Sequence, residues 1–155
     1  MATSQKKAAA LFLPVLPLKN VVALPKSIIP VVVGRDISIK AVEFALKENR
    51  EVFVTAQKEA HHESPTADDI YHVGTRATIL QVGRMQNNTL KILIEGISRA
   101  KVTEFIPTEE FLCVRAEEQV SRPMRNKLEA KAIGRNLYEL FKDYLQLNDK
   151  VSSEV

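Results

Sequence analysis

The chain changes pattern once. From residue 11 to about residue 119 it carries short apolar runs broken by Gly, Pro and Asn; from Ser121 to Asn148 its apolar residues fall at helical spacing. Short runs bounded by turn residues predict strands, and a period of three and four predicts an amphipathic helix. Residues 1–10 are small and polar and predict a disordered tail. The expected division is a tail over 1–10, a β-rich domain over 11–119 and a helical segment over 120–155. No internal repeat at solenoid spacing is visible.

The β-rich part opens with Leu11 to Leu18, where Pro14 and Pro17 cannot donate ladder hydrogen bonds; this predicts a sheet edge or bend. Residues 21–24 and 28–33 are nearly all apolar and predict extended segments buried on both sides, with Pro30 marking an edge or bulge. Residues 51–56 and 71–82 predict strands. Residues 58–69, polar and holding Pro65, predict a long loop. Asn87-Asn88 predicts a hairpin tip, because Asn tolerates positive φ. Leu90, Ile92 and Ile94 alternate with polar neighbours on the return strand, Gly96 suggests a bulge, and residues 101–106 and 111–116 predict two more strands.

Two helices are expected. Ile37, Ala41, Val42, Ala45 and Leu46 share one face and Lys40, Glu43 and Lys47 the other, with Asp36 as N-cap and Asn49 as terminator. The second begins with Ser121 as N-cap and Pro123 in its first turn. Ala130, Ile133, Leu137, Leu140, Tyr144 and Leu147 then form a heptad-like seam, which Leu128, Phe141 and Leu145 widen. So much apolar surface needs a partner: the β domain, a second copy, or other helices.

Composition narrows the function more than it names it. Of 155 residues, 45% are hydrophobic, enough for a core without disulfide or metal. The single Cys113 excludes an intrachain disulfide and argues for a reducing, cytosol-like compartment. No run reaches the length and apolarity of a membrane span, and neither a signal peptide nor a long Arg-rich leader is read at the start. Net charge is only +3, from 22 basic against 19 acidic residues, with the signs interleaved. A nucleic-acid binder concentrates its basic residues in a stripe, which this sequence does not.

No catalytic signature is present: no phosphate-binding Gly-rich loop, no dinucleotide fingerprint, no zinc-protease helix and no nucleophile elbow. No cofactor is expected. His61-His62-Glu63, with His72 beyond, reads as a solvated loop and not a metal site, since adjacent histidines do not converge as an i,i+4 helical pair does. Cys113 reads as a buried small hydrophobe. The carboxylate pairs Asp68-Asp69, Glu109-Glu110 and Glu117-Glu118 read as solvated charge. The run from Val21 to Val33 has two readings: core, or a groove for apolar polypeptide segments.

Three ordered blocks carry a resemblance. Leu13-Pro-Val-Leu-Pro-Leu-Lys-Asn-Val-Val-Ala-Leu-Pro25 with Ile28-Ile-Pro-Val-Val-Val-Gly-Arg-Asp-Ile-Ser38 resembles the opening of bacterial-type Lon proteases. So do Ala56-Gln-Lys-Glu59 through to Val73-Gly-Thr75, and Lys91-Ile-Leu-Ile-Glu-Gly-Ile-Ser-Arg-Ala-Lys-Val102. The resemblance covers nearly all of the chain beyond the tail. It implies an α+β fold: a β-rich PUA-like pseudo-barrel with one inserted helix, followed by the start of a C-terminal helical extension. It also implies recruitment of unfolded or damaged protein substrates and a contribution to hexamer assembly. The family's ATPase and Ser-Lys protease modules are not in this sequence, so neither activity is expected of it. Bacterial cytosol and mitochondrial matrix both suit the family; the missing Arg-rich leader favours the former.

The expected substrate contacts are Leu24, Pro25, Ile28 and Ile29, and the start of the first helix at Arg35, Asp36 and Lys40, where polar backbone groups lie beside an apolar wall. The expected assembly contacts are Ile133, Leu137, Leu140, Phe141 and Tyr144. The alternative reading is a nucleic-acid-binding module, because the PUA-like class includes RNA binders.

Overall fold

The computed structural model describes residues 11–122 and 125–148. The expected tail over 1–10, Pro123 and the last residues from 149 onward lie outside them. The chain divides into two units, with the division between Val120 and Ser121.

The first unit holds β1 (Leu11–Leu18), β2 (Ile28–Val33), α1 (Asp36–Lys47), β3 (Glu51–Ala56), β4 (Val73–Arg84), β5 (Leu90–Ile106) and β6 (Cys113–Glu118). The strands form one sheet in the order β2-β5-β4-β3-β1-β6, and β6 also pairs with β5. Five strands therefore close a ring, and β2 branches from it through β5 alone. The β1–β3 pair is parallel, so a crossover must join them; β2 and α1 supply it, and α1 packs on β1 and β3. This is the β-rich pseudo-barrel with one inserted helix.

β3 is apolar throughout because it is covered on both faces. Val52 and Val54 join one core cluster with Leu16, Leu18, Val42 and Ile92, while Phe53 points into a second with Leu13, Val15, Ile70 and Val114. β1 lies inside the strand order yet carries two prolines. Its first half, Leu11 to Pro14, pairs with β6, and its second, Val15 to Leu18, pairs with β3. Each half thus has a strand on one side only, which is where Pro is tolerated.

β5 runs unbroken for 17 residues where two strands were expected. Its first half pairs with β2 and its second with β6. Arg76 faces Ser98 while Ala77 faces Gly96, so Ile97 is the extra residue of a bulge beside Gly96. The bulge expected at Gly96 is present, and it bends the strand without ending it. Asn87 and Asn88 both take positive φ at the β4–β5 tip.

Three local expectations need correction. Residues 21–24 form no strand; Ala23 alone is buried, while Val21, Val22 and Leu24 are exposed. Asn20 and Lys26, both at positive φ, turn the chain at either end of the segment. It is tied to the barrel by buried Thr75 of β4, whose Oγ1 donates to the Ala23 carbonyl at 2.7 Å. Asp36 is the first residue of α1 and not its cap. Arg35 keeps the extended dihedrals of the N-cap, with no side-chain capping bond, and Asp36 favours the helix instead through the dipole. Chain reversal after α1 uses Arg50 at φ 63°, not Asn49. Arg50 is secured there by Nε donating to the Ile79 carbonyl at 3.0 Å.

The second unit is α2 (Lys127–Leu147). Its N-cap is Asn126, whose side-chain oxygen accepts from the N–H groups of Leu128 and Glu129. Ser121 lies too far upstream to cap it; Asn serves equally well and sits directly before the periodic stretch. No described side chain of α2 is buried, and the seam residues Ile133, Leu137, Leu140, Phe141 and Tyr144 are all exposed.

Candidate functional site

The closed ring leaves a gap at its branch point. Among the described residues, Leu16 to Leu18 have β3 on one side and no strand on the other, and β2 has only β5. Between these two strands lies a cleft of about 500 Å³, walled by Leu16, Leu18, Val21, Val31, Val32 and Val33. Val21 and Val32 stay 47% and 64% exposed although both are large and apolar. Pro30 adds to the wall and removes one donor from the β2 edge.

The polar end of the cleft is built from three elements. Arg35, between β2 and α1, spans to β1: Nη2 donates to the Pro17 carbonyl at 2.7 Å and Nη1 to Gln57 Oε1 at 2.9 Å. Burial draws the Arg35 guanidinium below its ordinary value, with nearby Glu63 acting in the opposite sense. Lys19 Nζ pairs with Glu63 at 2.7 Å, and this bond, followed by the charge of Lys19, holds the Glu63 carboxyl below the usual range. Ser38, in the first turn of α1, also lines the cleft, and its hydroxyl is buried with no hydrogen-bond partner. The N–H groups of an opening helical turn and an unpartnered hydroxyl give that end capacity for a polar or acidic group.

Gln57, directly after β3, ties this end to the loop over residues 58–69. Its side-chain amide donates to the carbonyls of Glu59 at 2.7 Å and His62 at 2.6 Å while its oxygen receives Arg35. Nothing in the sequence around Gln57 signals that role, since its partners lie on a distant turn and across the cleft.

The structure divides the expected contacts. Arg35 lines the cleft, and Asp36 stands exposed beside it. Lys40 points elsewhere, 3.5 Å from Glu110. Leu24 and Pro25 sit on a turn over Gly96, with the Lys26 N–H donating to the Gly96 carbonyl at 2.8 Å; Leu24 is exposed but outside the cleft. Ile28 is 56% exposed on the outer face of β2, whereas Ile29 packs against the core. Lys19, Ser38 and Glu63 were not singled out in the sequence; Val21, Val31 and Val32 belong to the run read as core or groove, and their alternation in β2 was hidden because every position is apolar.

Other candidates resolve as structure. Cys113 is buried, its Sγ donates to the Leu13 carbonyl at 3.3 Å, and burial pushes the thiol up to about 11, which leaves it inert. Glu118 is not simply solvated: Ser98 Oγ and Arg76 Nη1 both donate to it at 2.7 Å, and those bonds hold its carboxyl low. Arg76 reaches Glu51 with its other terminal nitrogen, and the two carboxylates together raise the guanidinium above its usual value.

The comparisons with known proteins converge on one family. The description "ATP-dependent protease La (LON) substrate-binding domain" matches residues 12–155. The chain belongs to this family. The Lon protease of Vibrio parahaemolyticus is 40% identical to it over 143 residues, covering 92% of this chain and 18% of that protein. The Lon protease of Bacillus thuringiensis is 40% identical over 141 residues, with 91% and 18% covered. This Lon domain thus spans under a fifth of those relatives' length, and the sequence given carries neither ATPase nor protease module. Among solved structures, the N-terminal domain of a Mycobacterium avium complex Lon protease superposes with a TM-score of 0.68 at 21% identity, covering 88% of this chain and 68% of that one. The Lon N-terminal domain protein of Xanthomonas campestris gives 0.53 at 19%, covering 83% and 74%. These two likenesses establish the fold. No described helix is long and apolar enough to cross a membrane.

Proposed function

We propose that this Lon substrate-binding domain captures unfolded or damaged polypeptide in the cleft between β1 and β2, for delivery to the motor and protease of a full-length Lon. One observation carries the reading: the free edge of β2 flanks an apolar cleft in which Val21 and Val32 remain exposed. An extended peptide can add main-chain hydrogen bonds to such an edge and seat alternate apolar side chains in the cleft. Folded proteins offer neither free backbone nor exposed apolar runs, so the site selects for unfolded chain. The substrate-binding region is assigned to residues 11–119 and the start of the helical extension to 120–155. The cytoplasm is the assigned compartment, in keeping with a lone, reduced and buried Cys113.

Fluorescence polarisation with a labelled, permanently unfolded polypeptide tests this. The expected result is saturable binding that survives high salt and is absent for a folded protein. Single-stranded RNA is the second control. Binding of RNA that falls steeply with salt, without binding of the unfolded chain, contradicts the proposal and favours the nucleic-acid reading. The charges argue against that outcome: Lys19, Lys40, Arg76, Arg84 and Arg115 all face carboxylates within 4 Å.

A second reading concerns α2 and coexists with the first. Its seam residues Ile133, Leu137, Leu140, Phe141 and Tyr144 are exposed, which a lone helix in water does not sustain cheaply. The seam is assigned to self-association, and in the full-length protein to hexamer assembly. Sedimentation should show a mass that rises with concentration, and Leu137→Ser with Leu140→Ser should hold the chain monomeric. A wild-type mass that stays monomeric at every concentration contradicts this role.

A further inference from the structure

The loop over residues 58–69 brings together groups that the sequence does not. The His62 N–H approaches the Glu59 carbonyl at 3.4 Å, the i to i+3 closure of a tight turn. The turn folds Glu59 back over the histidine pair. His61 Nε2 lies 3.2 Å from Glu59 Oε2, and the two imidazole rings meet edge to face with centroids 4.4 Å apart. One ligand atom from each of Glu59, His61 and His62 lies within 4.8 Å of the others. Adjacent histidines on an extended chain would diverge; the turn makes them converge, with Glu59 and not Glu63 as the acidic member.

The next layer outward is also in place. His62 Nδ1 is 2.9 Å from Asp69 Oδ1. Asp69 is fixed in turn, because its Oδ2 accepts from the Thr66 N–H and hydroxyl, both at 2.8 Å. With Nδ1 facing that carboxylate, Nε2 is the ring nitrogen left for a ligand. A histidine held by a carboxylate through its other nitrogen is the arrangement that orients imidazole toward a metal. Buried Gln57 pins the turn from below by donating to both the Glu59 and His62 carbonyls. Glu59 and His61 stand exposed and His62 half-buried, so an ion can reach the cluster from the side of the first two.

We propose that Glu59, His61 and His62 form a binding site for a borderline divalent cation, zinc in the first instance, with Asp69 as a positioning residue. Two imidazoles and one carboxylate suit zinc in a tetrahedron completed by water, and suit calcium or magnesium poorly, since those prefer all-oxygen shells. The donor atoms must draw in from 4.8 Å toward the spacing of a tetrahedral site, which surface side chains do by rotation. The inference is independent of the polypeptide reading and survives its failure.

The test is titration of the chain with zinc chloride against a competing zinc indicator, with cobalt absorption as a spectroscopic check. The expected result is one saturable site, an intense tetrahedral cobalt band and an upward shift of the thermal midpoint. His61→Ala and Glu59→Gln, at exposed positions, and His62→Ala, at a half-buried one checked by its circular dichroism, should each weaken binding at least about tenfold. Asp69→Asn should weaken it by about 10- to 100-fold, with the ligands unchanged. His72→Ala, outside the cluster, should have no effect. Absent zinc binding, or binding that survives His61→Ala and His62→Ala, overturns the site. Unchanged affinity in a folded Asp69→Asn chain overturns the positioning role.

Discussion

Val21→Ser combined with Val32→Thr is expected to weaken binding of an unfolded polypeptide by roughly tenfold to thirtyfold, with almost no change in folding stability. Both side chains line the cleft, and both already meet water in the free domain. Their apolar area is therefore a reserve that only a bound ligand can cover. Completing the burial of a half-exposed valine is worth roughly 1 kcal/mol, so losing two costs roughly a factor of thirty at most. The folded domain loses little, because Val21 lies outside any strand and Thr keeps the β-branched shape that β2 favours. Polarisation titration gives the affinity and urea unfolding the stability. A matched pair away from the cleft, Leu80→Thr with Met85→Thr, should leave binding intact. Equal weakening by both pairs would mean that general surface apolarity, and not this cleft, holds the substrate.

Gly74→Ala is expected to be the most damaging small substitution in the barrel. A Cβ at Gly74 would collide with the Val54 carbonyl oxygen and approach Phe53 Cζ to 2.8 Å and Thr55 Cβ to 3.1 Å. The first obstacle is backbone, in a strand that β1 and β4 hold on both sides. The second is the fully buried Phe53, a large side chain at the centre of a core cluster. Neither can swing aside as a flexible surface chain would. The cost should be about 3 kcal/mol, the upper end for overpacking, visible as a lower urea midpoint with an unchanged slope. Gly134→Ala on α2 is the contrast, since nothing lies within 4 Å of its Cβ; it should raise helicity. A Gly74→Ala domain of wild-type stability would show that β3 and β4 approach less closely than described.

What could be read in advance follows the range of the interactions. α1 was legible because its apolar residues repeat on one face, and the Asn87-Asn88 tip because positive φ is a local demand. β3 was legible as a β-branched run between turn residues. Residues 21–24 misled because apolarity signals burial only on average; Val21, Val22 and Leu24 are carried outside the barrel by corners at Asn20 and Lys26. Gly96 was legible as a bulge, but the sequence did not show that the strand continues through it.

The site was less legible than the fold. Arg35 was singled out for its place at a helix start; that its guanidinium closes the gap to Pro17 and Gln57 was not legible. Val32 was hidden in a strand that is apolar at every position, so alternation could not separate its two faces. The histidine pair was discounted because spacing along an extended chain is not spacing across a turn. Pairings such as Lys19 with Glu63 depend on tertiary approach across 44 residues and leave no local trace.

The most direct measurement is amide chemical-shift mapping of the isotope-labelled chain during titration with an unfolded polypeptide. The account predicts saturating shifts at Leu16, Leu18, Val21, Val31, Val32 and Arg35, with the outer face of β4 unmoved. Saturating shifts confined to the α2 seam, or to the Leu24–Pro25 turn without the cleft, would contradict it.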